Sequence, residues 1–102
     1  MSGEPLLLGI DIGTTQTKVG AFHLDGKLAA LAVADYPLHV NAATNAAEQD
    51  PLDWWRGASR AIHEILAKVD PNRLQAVSVG GQGPTVVALD AARYTTYLTS
   101  AV

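Results

Sequence analysis

Between Gly9 and Lys18 the chain reads GIDIGTTQTK, and this stretch carries the residues best suited to chemistry. One carboxylate, Asp11, sits in an otherwise apolar run and is followed closely by Gly13, Thr14, Thr15, Thr17 and Lys18. An unpaired buried carboxylate is strongly disfavoured or shifts its pKa, so Asp11 is expected to face a cation or to reach solvent at a strand end. Gly9 and Gly13 let a ligand approach the backbone, and threonine hydroxyls beside free N–H groups of a turn make a concavity suited to anions. With a carboxylate on the same edge, the natural joint ligand is a polyphosphate carrying Mg²⁺, its oxygens on the turn and the hydrated cation on Asp11. Lys18 adds a positive charge nearby. The competing reading is a plain hairpin whose threonines satisfy turn carbonyls and whose Asp11 caps an N–H. Two familiar phosphate loops are excluded by spacing: GTTQTK matches neither G-x-x-x-x-G-K-S/T nor G-x-G-x-x-G, and it leads into a strand, not a helix.

The elements that must position these residues follow from periodicity and turn signals. Leu6 to Ile12 is short and apolar on both faces, as a buried central strand is. Gln16 to Leu24 and Leu28 to Tyr36 are two further strands joined by Asp25-Gly26, so the first three strands predict an antiparallel meander. Val40 to Gln49 has no strong period and reads as a loop. Asp50 then stands at a helix N-cap, Pro51 at the first helical position and Asp53 in the first turn. Leu52, Trp55, Ala58, Ile62, Ile65, Leu66 and Val69 form one stripe at helical spacing, ended by Pro71. Leu74 to Val79 and Thr85 to Leu89 are two more strands, separated by GGQGP, read as a loop. A helix between the third and fourth strands lets a later strand run parallel to the first. The expected fold is therefore α/β: a mixed sheet of about five strands with the three-strand meander and one main helix. The tail ARYTTYLTSAV is a sixth strand or an unpaired end.

Composition limits what this scaffold can be. The chain has 102 residues, 48% apolar and 17% charged, with a net charge of -3, which describes one small domain at most. Seven Lys plus Arg against ten Asp plus Glu, without a basic cluster, argues against a nucleic-acid partner. The absence of cysteine excludes disulfides and thiolate metal sites and accords with a reducing compartment. The apolar run at the start is cut by Asp11, too short for a signal peptide or a membrane span, so the expected location is cytoplasmic, with no membrane partner.

Three segments together resemble one family. GIDIGTTQTKVGAFHLDGKL is similar to the first phosphate motif of the actin-like, ribonuclease H-like ATPases. AEQDPLDWW (Ala47 to Trp55) and SVGGQGPTVVALD (Ser78 to Asp90) resemble, within that superfamily, the N-terminal domain of the FGGY carbohydrate kinases, such as xylulokinases and glycerol kinases. The resemblance runs from residue 6 to 90, leaves 91–102 as a divergent tail, and implies that 1–102 is the N-terminal part of domain I, a ribonuclease H-like half-domain.

The implied activity is ATP-dependent phosphorylation of a sugar or polyol hydroxyl. By match to the family motif, Asp11 would hold Mg²⁺ through water, Gly13, Thr14, Thr15 and Lys18 would lie near the β- and γ-phosphates, and Gln82 would contact the sugar. Gly83, Pro84 and Thr85 replace the Met-His-Gly of xylulokinases and the Arg-Glu of glycerol kinases, so the resemblance names no particular sugar. The family's catalytic aspartate, second phosphate motif and adenosine segment belong to downstream sequence, so this chain alone is expected to be an inactive fragment that binds ATP and Mg²⁺ weakly or not at all. The alternative is a non-catalytic phosphate-binding or self-associating module built from the same half-fold, and a homo-oligomer is expected of the isolated chain. A ribonuclease H-like nuclease would need convergent carboxylates and a basic groove, against the charge balance.

Plainer roles are expected elsewhere. Trp54 and Trp55 point about 100° apart on a helix and cannot stack on one ring, so one packs and one lies at the rim. Glu48 and Asp50 read as a loop acid and an N-cap, and His23, His39 and His63 lie on separate elements without metal spacing.

Overall fold

The computed structural model describes residues 3–83, 85–89 and 95–100. Strands β1 (Leu6–Ile12), β2 (Gln16–His23) and β3 (Leu28–Asp35) form the expected antiparallel meander. The β2–β3 connection turns at Asp25-Gly26, where Gly26 takes φ +90 and the Asp25 carboxylate accepts from the Lys27 N–H at 2.9 Å. This left-handed conformation favours glycine over any residue with a Cβ.

Where the sequence reads as a loop, His39–Val40 (β4) and Ala47–Glu48 (β5) pair as a two-residue antiparallel ribbon. Asn41 closes it: its Oδ1 accepts from the N–H groups of Ala43 and Thr44 at 2.9 and 3.3 Å. Such side-chain turns carry no hydrophobic period, which is why the alternation test passes over them.

Helix α1 (Pro51–Lys68) starts as expected, with the Asp50 side chain accepting from the Leu52 N–H at 2.9 Å and Asp53 in the first turn. Its buried face differs from the expected stripe. Gly57, Ala58, Ala61 and Ile65 are buried, while Leu52, Leu66 and Trp55 (72% accessible) are exposed. The helix is rotated by roughly 80° from the position that would bury its largest residues. The reason is on the sheet, which offers the small residues Ala21, Ala32 and Ala34 and the Tyr36 ring. A Cβ added at Gly57 would lie 3.2 Å from that ring, so small residues on both sides let helix and sheet approach closely.

After α1, Asp70 caps a 3-10 turn at Pro71–Arg73, and β6 (Leu74–Gly81) runs parallel to β1, as a crossover through a helix permits. The sheet order is β3-β2-β1-β6. Gly80 and Gly81, expected in a loop, instead pair with Asp11 and Ile12, because β1 continues to that level and offers them a partner. Four strands make up this mixed sheet. The expected fifth, β7 (Thr85–Leu89), pairs with β8 (Thr95–Ser100), its neighbour in sequence, rather than with β6. Residues 91–94 and 101–102 of the tail lie outside the described residues.

The core lies between α1 and one face of the sheet: Leu6, Leu8, Val19, Ala21, Ala32, Ala34, Ala61 and Ile65. Among the described residues no helix is long and apolar enough to cross a membrane.

Candidate functional site

The β1–β2 turn is built around Gly13. Its N–H donates to the Gln16 carbonyl at 2.9 Å, and a Cβ at this position would stand 2.8 Å from that oxygen, so a side chain here would displace the turn. Tyr36, at the end of β3, holds the turn from below. Its hydroxyl donates to the Gly13 carbonyl at 2.5 Å and accepts from the Thr17 hydroxyl at 3.3 Å, and its N–H donates to the Thr15 carbonyl at 3.0 Å. Burial raises the Tyr36 phenol above its usual pKa; the Thr17 bond opposes this and the Asp11 charge adds to it. Thr17 is fully buried and committed to Tyr36, which removes it from the expected set of phosphate-facing hydroxyls, while Thr14 and Thr15 are exposed.

Asp11 lies near the carboxyl end of β1, on the sheet face opposite α1, and is exposed. Its register partners are Lys18 on β2 and Gly80 on β6. No described residue donates a hydrogen bond to its carboxylate, and it forms no ion pair with Lys18 among the described residues. A Cβ added at Gly80 would meet nothing within 4 Å, so the strand beside Asp11 leaves open space.

Gln82 is brought to the same end. Its N–H donates to the Ile12 carbonyl at 2.9 Å, extending the β1–β6 ladder, and its side-chain Nε2 donates to Gln49 Oε1 at 2.9 Å. Gln49, only 3% accessible, also donates from Nε2 to the carbonyls of Thr14 and Pro37 at 2.5 and 3.3 Å and accepts from the Trp54 indole N–H at 3.3 Å. Trp54 is therefore the packed tryptophan and Trp55 the rim one.

The structure thus gathers Asp11, Gly13, Thr14, Thr15, Lys18 and Gln82 at one end of the sheet. Gln49 and Tyr36 are the members that sequence reasoning missed. A glutamine directly before a helix cap, in a segment already singled out, was the available signal for Gln49. Among the described residues no group of three His, Asp or Glu side chains could hold a metal directly. A shallow concavity lined by Glu4, Pro5, His23, Leu24, Asp25 and Lys27 lies at the opposite end of the strands, away from all of these groups.

With this geometry in place, comparison with solved structures defines the class. The fold is that of the actin-like ATPases as it occurs in sugar kinases: gluconate kinase from Lactobacillus acidophilus superposes with a TM-score of 0.84 at 24% identity over 96% of this chain and 20% of that one. Xylulose kinase from Rhodospirillum rubrum gives a TM-score of 0.82 at 26% identity, over 93% of this chain and 20% of that one. The model of the FGGY family of carbohydrate kinases, N-terminal domain, matches residues 6–102, and the chain belongs to that family. Among relatives, glycerol kinase from Aquifex aeolicus is 28% identical over 85 residues, spanning 83% of this chain and 17% of its own length. Xylulose kinase from Bacillus subtilis is 30% identical over 86 residues, 82% of this chain and 17% of its own. The chain spans less than a fifth of the length of these two curated relatives.

Proposed function

We propose that this chain, as the N-terminal part of domain I, supplies the phosphate-holding turn and one polyol contact of an ATP-dependent carbohydrate kinase. The observation that carries the reading is the exposed Asp11 carboxylate, without a partner among the described residues, beside the Thr14–Thr15 turn, with Gln82 tied to both Ile12 and Gln49 next to it. A hard oxygen donor facing open space fits Mg²⁺, which keeps most of its waters and is held by one or two carboxylates together with phosphate oxygens. Asp11 would hold such a cation there, and the charge neutralisation it would supply suits a phosphoryl group. The chain's own part is positional. Thr14 and Thr15 offer hydroxyls and turn N–H groups to phosphate oxygens, Lys18 adds a positive charge, and the Gln82 amide both donates to and accepts from a sugar or polyol hydroxyl. With Asp11 given to the cation, none of these roles is that of the base for the attacking hydroxyl, so the chain by itself is expected to lack kinase activity.

The test is titration of the purified chain with magnesium tripolyphosphate, followed calorimetrically. Weak saturable binding that Asp11→Asn reduces several-fold, with the melting temperature unchanged or raised, supports the reading. Binding indifferent to Asp11→Asn, or a variant that unfolds, returns Asp11 to a structural role.

A second reading, a self-associating module, is favoured by one observation. Val77 and Val79 on β6 are 61% and 62% accessible, and β6 is an edge of the sheet with no charged residue from Leu74 to Gly81. Long uncharged edges invite pairing with another strand, a second copy of β6 included.

A further inference from the structure

We infer that Gln49 is a positioning residue that joins the phosphate turn to the polyol loop and fixes which end of the Gln82 amide a substrate meets. The inference rests on the reading of Thr14 and Gln82 proposed above.

The chemistry of its partners orients Gln49. An indole N–H can only donate, so the Gln49 atom 3.3 Å from Trp54 Nε1 is its oxygen. Backbone carbonyls can only accept, so the atom facing Thr14 and Pro37 is its nitrogen. The two ends agree independently. Gln82 must then present Nε2 to Gln49 Oε1, which turns its own Oε1 away, with no donor among the described residues. A ligand at this loop therefore meets a carbonyl oxygen first, and the group that suits it is a hydroxyl acting as donor.

Gln49 uses both N–H groups and both lone pairs while almost wholly buried, and no buried side-chain polar atom is left unpaired among the described residues. In such a satisfied buried network, displacing one member perturbs the rest. Movement of the Thr14 carbonyl when the turn takes up phosphate passes through the Gln49 amide to Gln82.

The experiment uses the ¹⁵N-labelled chain and reads the Gln49 and Gln82 side-chain amides, the Trp54 indole and the Gly13 to Thr15 amides. With magnesium tripolyphosphate as probe, the turn amides and the Gln82 side chain shift with one midpoint. Turn shifts without a Gln82 response overturn the inference. In Gln49→Leu the turn shifts persist and the Gln82 response is lost; persistence of that response also overturns it. Since Gln49→Leu strands all four hydrogen-bond partners of Gln49, Gln49→Glu is the second variant and needs no ligand. Titrated from about pH 4 to pH 8, its new carboxylate is a stronger acceptor for Trp54 and Gln82 and faces the Thr14 and Pro37 carbonyls without a donor. The indole and Gln82 amide protons move downfield together with the new group, after subtraction of the parent chain's titration of neighbouring Glu48 and Asp50. Signals that do not track that ionisation overturn the inference. If they track it while tripolyphosphate leaves the turn unmoved in the parent chain, the phosphate reading fails and the orienting role of Gln49 stands.

Discussion

Both faces of the β3-β2-β1-β6 sheet are apolar, and α1 covers one of them over β1 to β3, leaving Val77 and Val79 of β6 exposed on that side. Under α1, Leu6, Val19 and Ile65 are fully buried. On the opposite face, Leu7, Leu31 and Val33 stay between 38% and 45% accessible, although strand alternation makes them as apolar as their neighbours. Asp11 belongs to this second face. Part of that face is covered by Phe22, whose ring lies over Gly20, where an added Cβ would come within 2.7 Å of it and 3.3 Å of Leu28 Cδ1. A strand end on the open face of the sheet keeps its carboxylate in water, and the same face leaves apolar surface exposed.

If burial is what separates the faces, truncation should separate them too. Ile65→Ala is expected to destabilise the chain by about 2–5 kcal/mol, against about 1 kcal/mol or less for Leu31→Ala on the open face, measured by urea unfolding. Equal losses would mean that the second face is buried in solution. Gly20→Ala probes the patch of the open face that Phe22 covers. The new methyl group must displace Phe22, for an expected loss of about 1–3 kcal/mol, and Phe22→Leu should relieve most of it.

Tyr36 joins the covered face to the turn, and its prediction concerns pH. Its phenol titrates above the ordinary value of 10.0 in the folded chain, so the neutral form is favoured by folding. The stabilisation is fully present below pH 10.0 and is lost as pH rises through the raised value. Tyr36→Phe should therefore lower stability by about 1 kcal/mol at neutral pH and flatten part of the alkaline decline expected of the parent chain. An alkaline limb of identical slope in the variant would remove Tyr36 as its cause. The smallest change in folding stability, within about 0.5 kcal/mol, is expected from Val77→Lys on the β6 edge. Its effect is on association: light scattering at tens of micromolar should show the parent chain assembling and the variant monomeric. A parent chain that is already monomeric would show that the uncharged edge is harmless.

The sequence by itself determined what depends on neighbours along the chain. Alternation and the Asp25-Gly26 turn specify the meander, and Asp50-Pro51 with Asp53 specify where α1 begins, because these are contacts within a few residues. The tight turn after β1, with Asp11, Gly13, Thr14 and Thr15 within five residues, was legible for the same reason. Tertiary structure alone decided which face of α1 is buried, since that depends on alanines in β2 and β3 meeting Gly57 and Ala61 across the interface. It also decided that Thr17 turns inward to Tyr36, nineteen residues on, and that Gln49 spans thirty-five residues to Thr14 and thirty-three to Gln82. A buried amide with four partners leaves no periodic trace, because its partners are gathered by packing and not by spacing.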